Sequence, residues 1–209
     1  MCKKLSVPTI TRLCMVFQQC DELLPQGVAR ISSSQMGKKI GVPAHTIRKD
    51  INCLGEVGDT GSGYDVARLK RHLERALGFE KSQKACVVGL GRLGSALMDY
   101  EKFQASGFSV VAGFDSSVNR IETIKTQVPV YPAYEMEDVI RREAIEMALL
   151  AVPAHVAQAT ADVLVSCGIR GIVNFAPVVI EVPASQVQVR HMNVINEMRV
   201  LSSLMTLGD

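Results

Sequence analysis

From Lys84 the chain reads Lys-Ala-Cys-Val-Val-Gly89-Leu90-Gly91-Arg92-Leu93-Gly94-Ser-Ala-Leu, an apolar strand running into three glycines spaced GxGxxG and then into a helix. Few patterns confine a backbone so tightly. The strand must end in a turn that glycine makes most easily, and the helix must start close enough to the strand to exclude a side chain. The spacing alone is weak, because glycines also serve simply to pack a helix on a strand. The residues after the helix supply a context. A second strand, Ser109 to Phe114, ends in Asp115, 21 residues beyond Gly94. A carboxylate at about that offset is where the adenosine ribose of a dinucleotide is held, while the free N–H groups of the helix face its pyrophosphate. Ser116 and Ser117 come next with no immediate basic residue, which favours NAD over NADP, although Arg120 leaves the choice open.

The rest of this half alternates strand and helix: 128–130, a helix through Ile140, Met147 to Val152, a helix from Ala154 to Val165, and Gly171 to Phe175. That order predicts an α/β fold with a Rossmann-like, doubly wound parallel sheet. Val152 and Pro153 then fall at the carboxyl end of a strand, on the edge where such sheets bind ligands, and residues 174–177 do so one strand later. The chain closes with a helix over 192–205 whose apolar residues Val194, Ile195, Met198, Leu201, Leu204 and Met205 cover one broad face. Such a helix needs a wall, either its own sheet or a second copy across a dimer axis.

The formal charge of +2 hides an asymmetry: residues 1–79 carry 12 Lys and Arg against 7 Asp and Glu, and residues 80–209 carry 11 against 14. A basic front and an acidic back suggest two modules, the front one with nucleic acid as a partner. A helix is expected from Pro8 to Leu24, a short one after the cap candidates Ser32, Ser33 and Ser34, a turn at residues 41–43, and a third helix to about Leu54. This is the order of a helix-turn-helix. Projected at about 100° per residue, Ile47, Ile51 and Leu54 form a narrow apolar seam, and His45, Arg48, Lys49 and Asn52 form a polar arc away from it. Those side chains suit base edges and phosphates in a major groove, and they equally suit a solvated helix face. Glycines 55, 58, 61 and 63 favour a β-hairpin over Glu56 to Tyr64, which makes the domain a winged helix, followed by a helix from Val66 to Leu77 that Gly78 stops.

With 47% hydrophobic and 21% charged residues, the chain is neither disordered nor a disulfide scaffold. Its apolar runs fall short of the roughly 20 residues of a membrane span, and no secretory signal opens it, so a cytoplasmic protein without a membrane partner is expected. Six cysteines without CxxC spacing and four histidines give no metal pattern and fit reduced thiols in a core.

Thr11-Arg12-Leu13, Arg48-Lys49-Asp50, Gly63-Tyr64, the stretch Gly89 to Gly94, Tyr100, Phe114-Asp115, Val152-Pro153 and Asn174-Phe175-Ala176-Pro177 together resemble the Rex family of redox-sensing transcriptional repressors. The resemblance covers nearly the whole chain. It implies a winged-helix DNA-binding domain over 1–79, an NAD(H)-binding domain over 80–191, and a dimerisation helix over 192–209 that is exchanged between subunits. It also implies a homodimer that binds a palindromic double-stranded operator and is released by NADH, a regulatory ligand, so that no catalytic residue is expected. DNA would meet Ser33, Ser34, His45, Arg48, Lys49 and Asn52, with Gly61, Gly63 and Tyr64 from the wing. NADH or NAD+ would meet Gly89, Leu90, Gly91, Arg92, Leu93, Gly94, Asp115, Val152 and Pro153.

Three positions depart from the family pattern. Asp59-Thr60 stands where the wing is usually basic, Gln18 where the first helix usually has arginine, and Asn193-Val194 where the last helix usually begins with aspartate. Gln18, Tyr100 and Asn193 are the positions through which the resemblance implies that the domains are coupled. Two other classes fit parts of the chain: an NAD-linked oxidoreductase with His155 as proton donor, and a CoA- or nucleotide-binding module built on the same glycines.

Overall fold

The computed structural model describes residues 5–55 and 63–208, in two compact units, Met1–Lys81 and Ser82–Asp209. In the first unit, α1 (Val7–Leu23) starts at Ser6, whose hydroxyl accepts from the Thr9 N–H, with a proline in its first turn. The strand β1 (Arg30–Ile31) leads to α2 (Ser33–Ile40), which opens with a capping box: Ser32 accepts from the Gln35 N–H and the Gln35 side chain accepts from the Ser32 N–H. Gly41, left-handed at φ 79°, ends α2, and α3 (Ala44–Asn52) follows after Pro43. A second short strand, β2 (Tyr64–Asp65), precedes α4 (Val66–Leu77). Leu13, Val16, Met36, Ile47, Ile51, Leu69 and Leu73 meet in one core, so the apolar seam of α3 faces inward.

Two sequence expectations change here. The helix expected to reach Leu54 ends at Asn52. Tyr64–Asp65 pairs antiparallel with Arg30–Ile31, an upstream segment with no strand signal in sequence, and the rest of the expected wing hairpin lies outside the described residues. The pairing is set by burial at both ends, since Ile31 and Tyr64 are both in the core.

The second unit is a six-stranded parallel sheet in the order β5-β4-β3-β6-β7-β8. Its strands are β3 (Gln83–Val88), β4 (Phe108–Asp115), β5 (Val130–Pro132), β6 (Met147–Leu150), β7 (Gly171–Asn174) and β8 (Gln188–His191). The helices between them are α5 (Arg92–Met98), α6 (Lys102–Ala105), α7 (Val118–Thr123), α8 (Met136–Glu143) and α9 (Ala154–Ser166). Side chains of β3 alternate between two cores: Cys86 and Val88 with Ile140 and Leu164 on one face, Val87 with Leu90 and Met98 on the other. Helices therefore cover both faces, and the strand order reverses between β3 and β6. The strand expected at 128–130 sits two residues later, at Val130–Pro132, and β8 has no counterpart among the expected strands. The last helix, α10 (Val194–Leu207), buries no residue in this chain, and Val194, Met198, Leu201, Leu204 and Met205 are exposed.

Candidate functional site

The reversal between β3 and β6 puts two strand ends side by side, and a crevice of about 710 Å³ opens there. Gly89 follows β3 at φ 89°, and a Cβ on it would lie 2.7 Å from the Ala151 carbonyl oxygen after β6. A Cβ on Gly94 would lie 1.9 Å from the Gly89 oxygen, so α5 packs where only glycine fits. Gly91 differs: a Cβ there would meet nothing within 4 Å. Two glycines close the turn and the third keeps a stretch of backbone open toward the crevice, which fits a pyrophosphate cradle. The first N–H groups of α5 are not used inside the helix and remain as donors there.

Asp115, at the end of β4, is 5% exposed. Its Oδ2 accepts from the Leu90 N–H at 2.7 Å and from Arg120 Nη1 at 3.0 Å, and its Oδ1 accepts from the Ser117 N–H at 2.8 Å. Burial by itself pushes this carboxyl up; the two backbone N–H groups and Arg120 outweigh it and hold the group below its ordinary value. The crevice thus contains a fixed carboxylate. Val152 and Pro153 line its other side with His155 and Val156. Of the residues expected at the nucleotide, Arg92 and Leu93 are exposed in the first turn of α5, whereas the Leu90 side chain is buried and only its backbone serves the site. His155 is exposed at the start of α9.

In the first unit, His45, Arg48, Lys49 and Asn52 are all exposed on α3, and Ser34 is exposed on α2. Two of the residues expected at DNA are buried in this chain. Ser33 is buried, and its hydroxyl accepts from Arg48 Nη1 at 2.9 Å, so it holds Arg48 and does not form open surface. The Tyr64 ring is 3% exposed because it completes the core behind β1 and β2. Gly63 presents its carbonyl to Arg30 Nη2 at 2.7 Å, and Gly61 lies outside the described residues.

Sequence reasoning missed the ion pair that fixes α3. Asp50 points inward and accepts from Arg12 of α1 through two bonds, Nε at 2.6 Å and Nη2 at 3.0 Å, and this raises the Arg12 pKa. An aspartate two places from an arginine on the polar arc reads as surface charge; only the partner 38 residues away shows otherwise.

The three positions expected to couple the domains are each described within their own unit. Gln18 is exposed and donates to Glu22 at 3.3 Å, Tyr100 is half-exposed beside Phe103, and Asn193 caps α10 by accepting from the Asn196 N–H at 3.0 Å. Among the described residues no group of three His, Cys, Asp or Glu could hold a metal ion, and no helix is long and apolar enough to cross a membrane.

Residues 4–52 match a protein-family model described as "Putative DNA-binding protein N-terminus", and residues 80–178 match one described as "CoA binding domain". The chain is 40% identical over 195 residues to a redox-sensing transcriptional repressor Rex of Chloroflexus aurantiacus, covering 93% of this chain and 90% of that protein. It is 36% identical over 199 residues to a Rex repressor of Limosilactobacillus fermentum, covering 95% and 92%. Among solved structures it is similar to RSP, a Rex-family repressor, in complex with beta-NAD+ and operator DNA, with a TM-score of 0.89 and 34% identity over 99% of this chain and 94% of that one. RSP in complex with beta-NADH gives 0.86 and 32% over 99% and 96%.

Proposed function

The chain belongs to the Rex family of redox-sensing transcriptional repressors, and from that membership we propose that it represses transcription by binding operator DNA as a homodimer and lets go when NADH binds. The observation that carries this reading is the crevice at the sheet reversal. An open stretch of backbone at Gly91 stands beside a buried, ionised Asp115, which is the donor-and-carboxylate pair that a dinucleotide needs. Gly89, Gly91 and the first turn of α5 would hold the pyrophosphate, Asp115 a ribose hydroxyl, and Val152 and Pro153 the opposite wall. NADH supplies binding energy here, not chemistry on a substrate, and the relatives are named repressors.

The exposed arc of α3 carries the second half of the reading. Arg48 and Asn52 have the donors and acceptors that read guanine and adenine edges, and Lys49 suits a phosphate. Dimerisation through α10, exchanged between subunits, accounts for an apolar helix that this chain alone leaves uncovered. A repressor of this kind works beside its DNA, in the cytoplasm.

The test is a titration of a labelled DNA pool followed by fluorescence anisotropy, with NADH, NAD+ or CoA added. Selection of a palindromic site and its release by NADH alone is the expected result. Release by CoA with no response to NADH would replace this reading by the CoA-binding one.

A further inference from the structure

Asp115 is not a bare carboxylate. Of its roughly four lone-pair positions, three are filled, by the N–H groups of Leu90 and Ser117 and by Arg120 Nη1. The Arg120 guanidinium pairs with it at 3.0 Å, and the Arg120 side chain is 49% exposed and lines the crevice. Nη1 anchors it to the carboxylate, and about half of the side chain stays open to solvent. Next to it, Ser116 is exposed and lines the same crevice.

A lone aspartate excludes a dinucleotide phosphorylated on its adenosine 2′-hydroxyl by like-charge repulsion. Here that charge is balanced within contact distance, and the balancing group is the side chain best shaped for phosphate. In dinucleotide-binding sheets of this kind a nearby arginine is the group that accommodates a 2′-phosphate, where a carboxylate holds the free 2′-hydroxyl. We propose that Arg120 sets the dinucleotide specificity of this crevice, admitting the 2′-phosphorylated NADPH as a second ligand alongside NADH. The proposal rests on the dinucleotide reading above and adds to it: the response would follow both reduced nicotinamide pools, unequally.

The measurement is calorimetric titration of the full-length protein with NADH and with NADPH at one fixed salt concentration, for the parent, Arg120→Gln and Arg120→Lys. Glutamine keeps the stem of the side chain and removes the charge; lysine keeps the charge and loses the fork. The parent is expected to bind NADPH within about tenfold of NADH. Arg120→Gln should weaken NADPH by about tenfold or more, the scale of a lost hydrogen bond to a charged group, with NADH changed by less than about threefold, and Arg120→Lys should fall between. A parent that binds NADH but not NADPH overturns the proposal and leaves the dinucleotide reading intact, as does Arg120→Gln weakening both ligands equally or neither. A parent that binds neither overturns both.

Discussion

Asp50 shows how one side chain governs a recognition surface without touching it. It sits on α3 between the residues assigned to DNA, yet its carboxylate is 6% exposed and tied to Arg12. Removing Arg12 would leave a buried charge unpaired. Arg12→Ala is therefore expected to lower unfolding free energy by about 3 kcal/mol, read from urea denaturation, with Asp50→Ala costing less because the stranded Arg12 reaches solvent. At the other site, Asp115→Ala should weaken NADH by roughly 1.5–3 kcal/mol, the value of hydrogen bonds to a charged group, measured by calorimetry. The Asp115 carboxyl is lowered in the folded protein. Its contribution to stability is accordingly complete above the ordinary aspartate value of about 4 and is lost as pH falls through the folded value. Parent and Asp115→Asn should therefore differ in stability at pH 6 and converge on acidification. The buried thiols of Cys20 and Cys86 are each pushed up to about 12, chiefly by burial. Neither is a thiolate at neutral pH, and neither offers the reactive sulfur that a thiol-based redox sensor needs.

The proposed intermolecular contacts fall on two helices. On α3, Arg48 is steadied by Ser33 while Lys49 is exposed without a side-chain bond to the protein among the described residues, so the two should fail differently. Arg48→Ala is expected to cost about 1–3 kcal/mol on the selected operator and to relax its sequence preference, as for a lost bidentate base contact. Lys49→Ala should weaken all sequences alike and flatten the salt dependence by about one counterion. Binding isotherms on selected and scrambled DNA at several salt concentrations separate the two. On α10, Leu201 and Leu204 are 59% and 63% exposed. A glutamate at either place would put a charge into any interface this face forms, so Leu201→Glu is expected to convert the dimer to monomer in sedimentation velocity while leaving the chain folded. A dimer that survives would move the interface elsewhere.

For the molecule as a whole, the question is how strongly nucleotide and DNA oppose each other. Emptying an operator from 99:1 to 1:99 requires NADH to prefer the DNA-incompetent state by roughly 5.5 kcal/mol. The family resemblance implies that charged partners at the positions of Gln18 and Asn193 would supply part of that bias together with the residue matching Tyr100. Here both are amides, and a neutral hydrogen bond is about half as strong as a charge-assisted one. The parent should therefore retain operator at NADH concentrations that release its relatives, and Gln18→Arg with Asn193→Asp should sharpen release in anisotropy titrations. The substitution at 193 leaves the helix intact, since aspartate caps as well as asparagine. At 18 the new arginine meets Glu22, the present partner of Gln18, and part of its charge is spent on that i,i+4 pair. Complete release by the parent at NADH saturation, unchanged in the double variant, would show that coupling runs through other contacts.

What the sequence determined by itself was local. The strand, GxGxxG turn and helix from Lys84, the stop at Gly78, a cap among Ser32, Ser33 and Ser34 and the inward seam of Ile47 and Ile51 come from turn chemistry and from periods that neighbouring residues enforce on one another. So did Asp115, because the distance from a glycine turn to the next parallel strand end is nearly constant in such units. The tertiary structure alone decided everything that depends on a distant partner. The pairing of Arg30–Ile31 with Tyr64–Asp65 involves strands too short to show a period, and β8 joins the sheet at an edge where its side chains are mostly exposed and no alternation marks it. Ser33 and Tyr64, read as DNA contacts, are buried because distant segments pack over them, and Asp50 is buried against Arg12, a partner from another helix. The three donors that fill Asp115 are of the same kind: Leu90 is 25 residues away along the chain, and its N–H reaches the carboxylate only because β3 and β4 lie side by side.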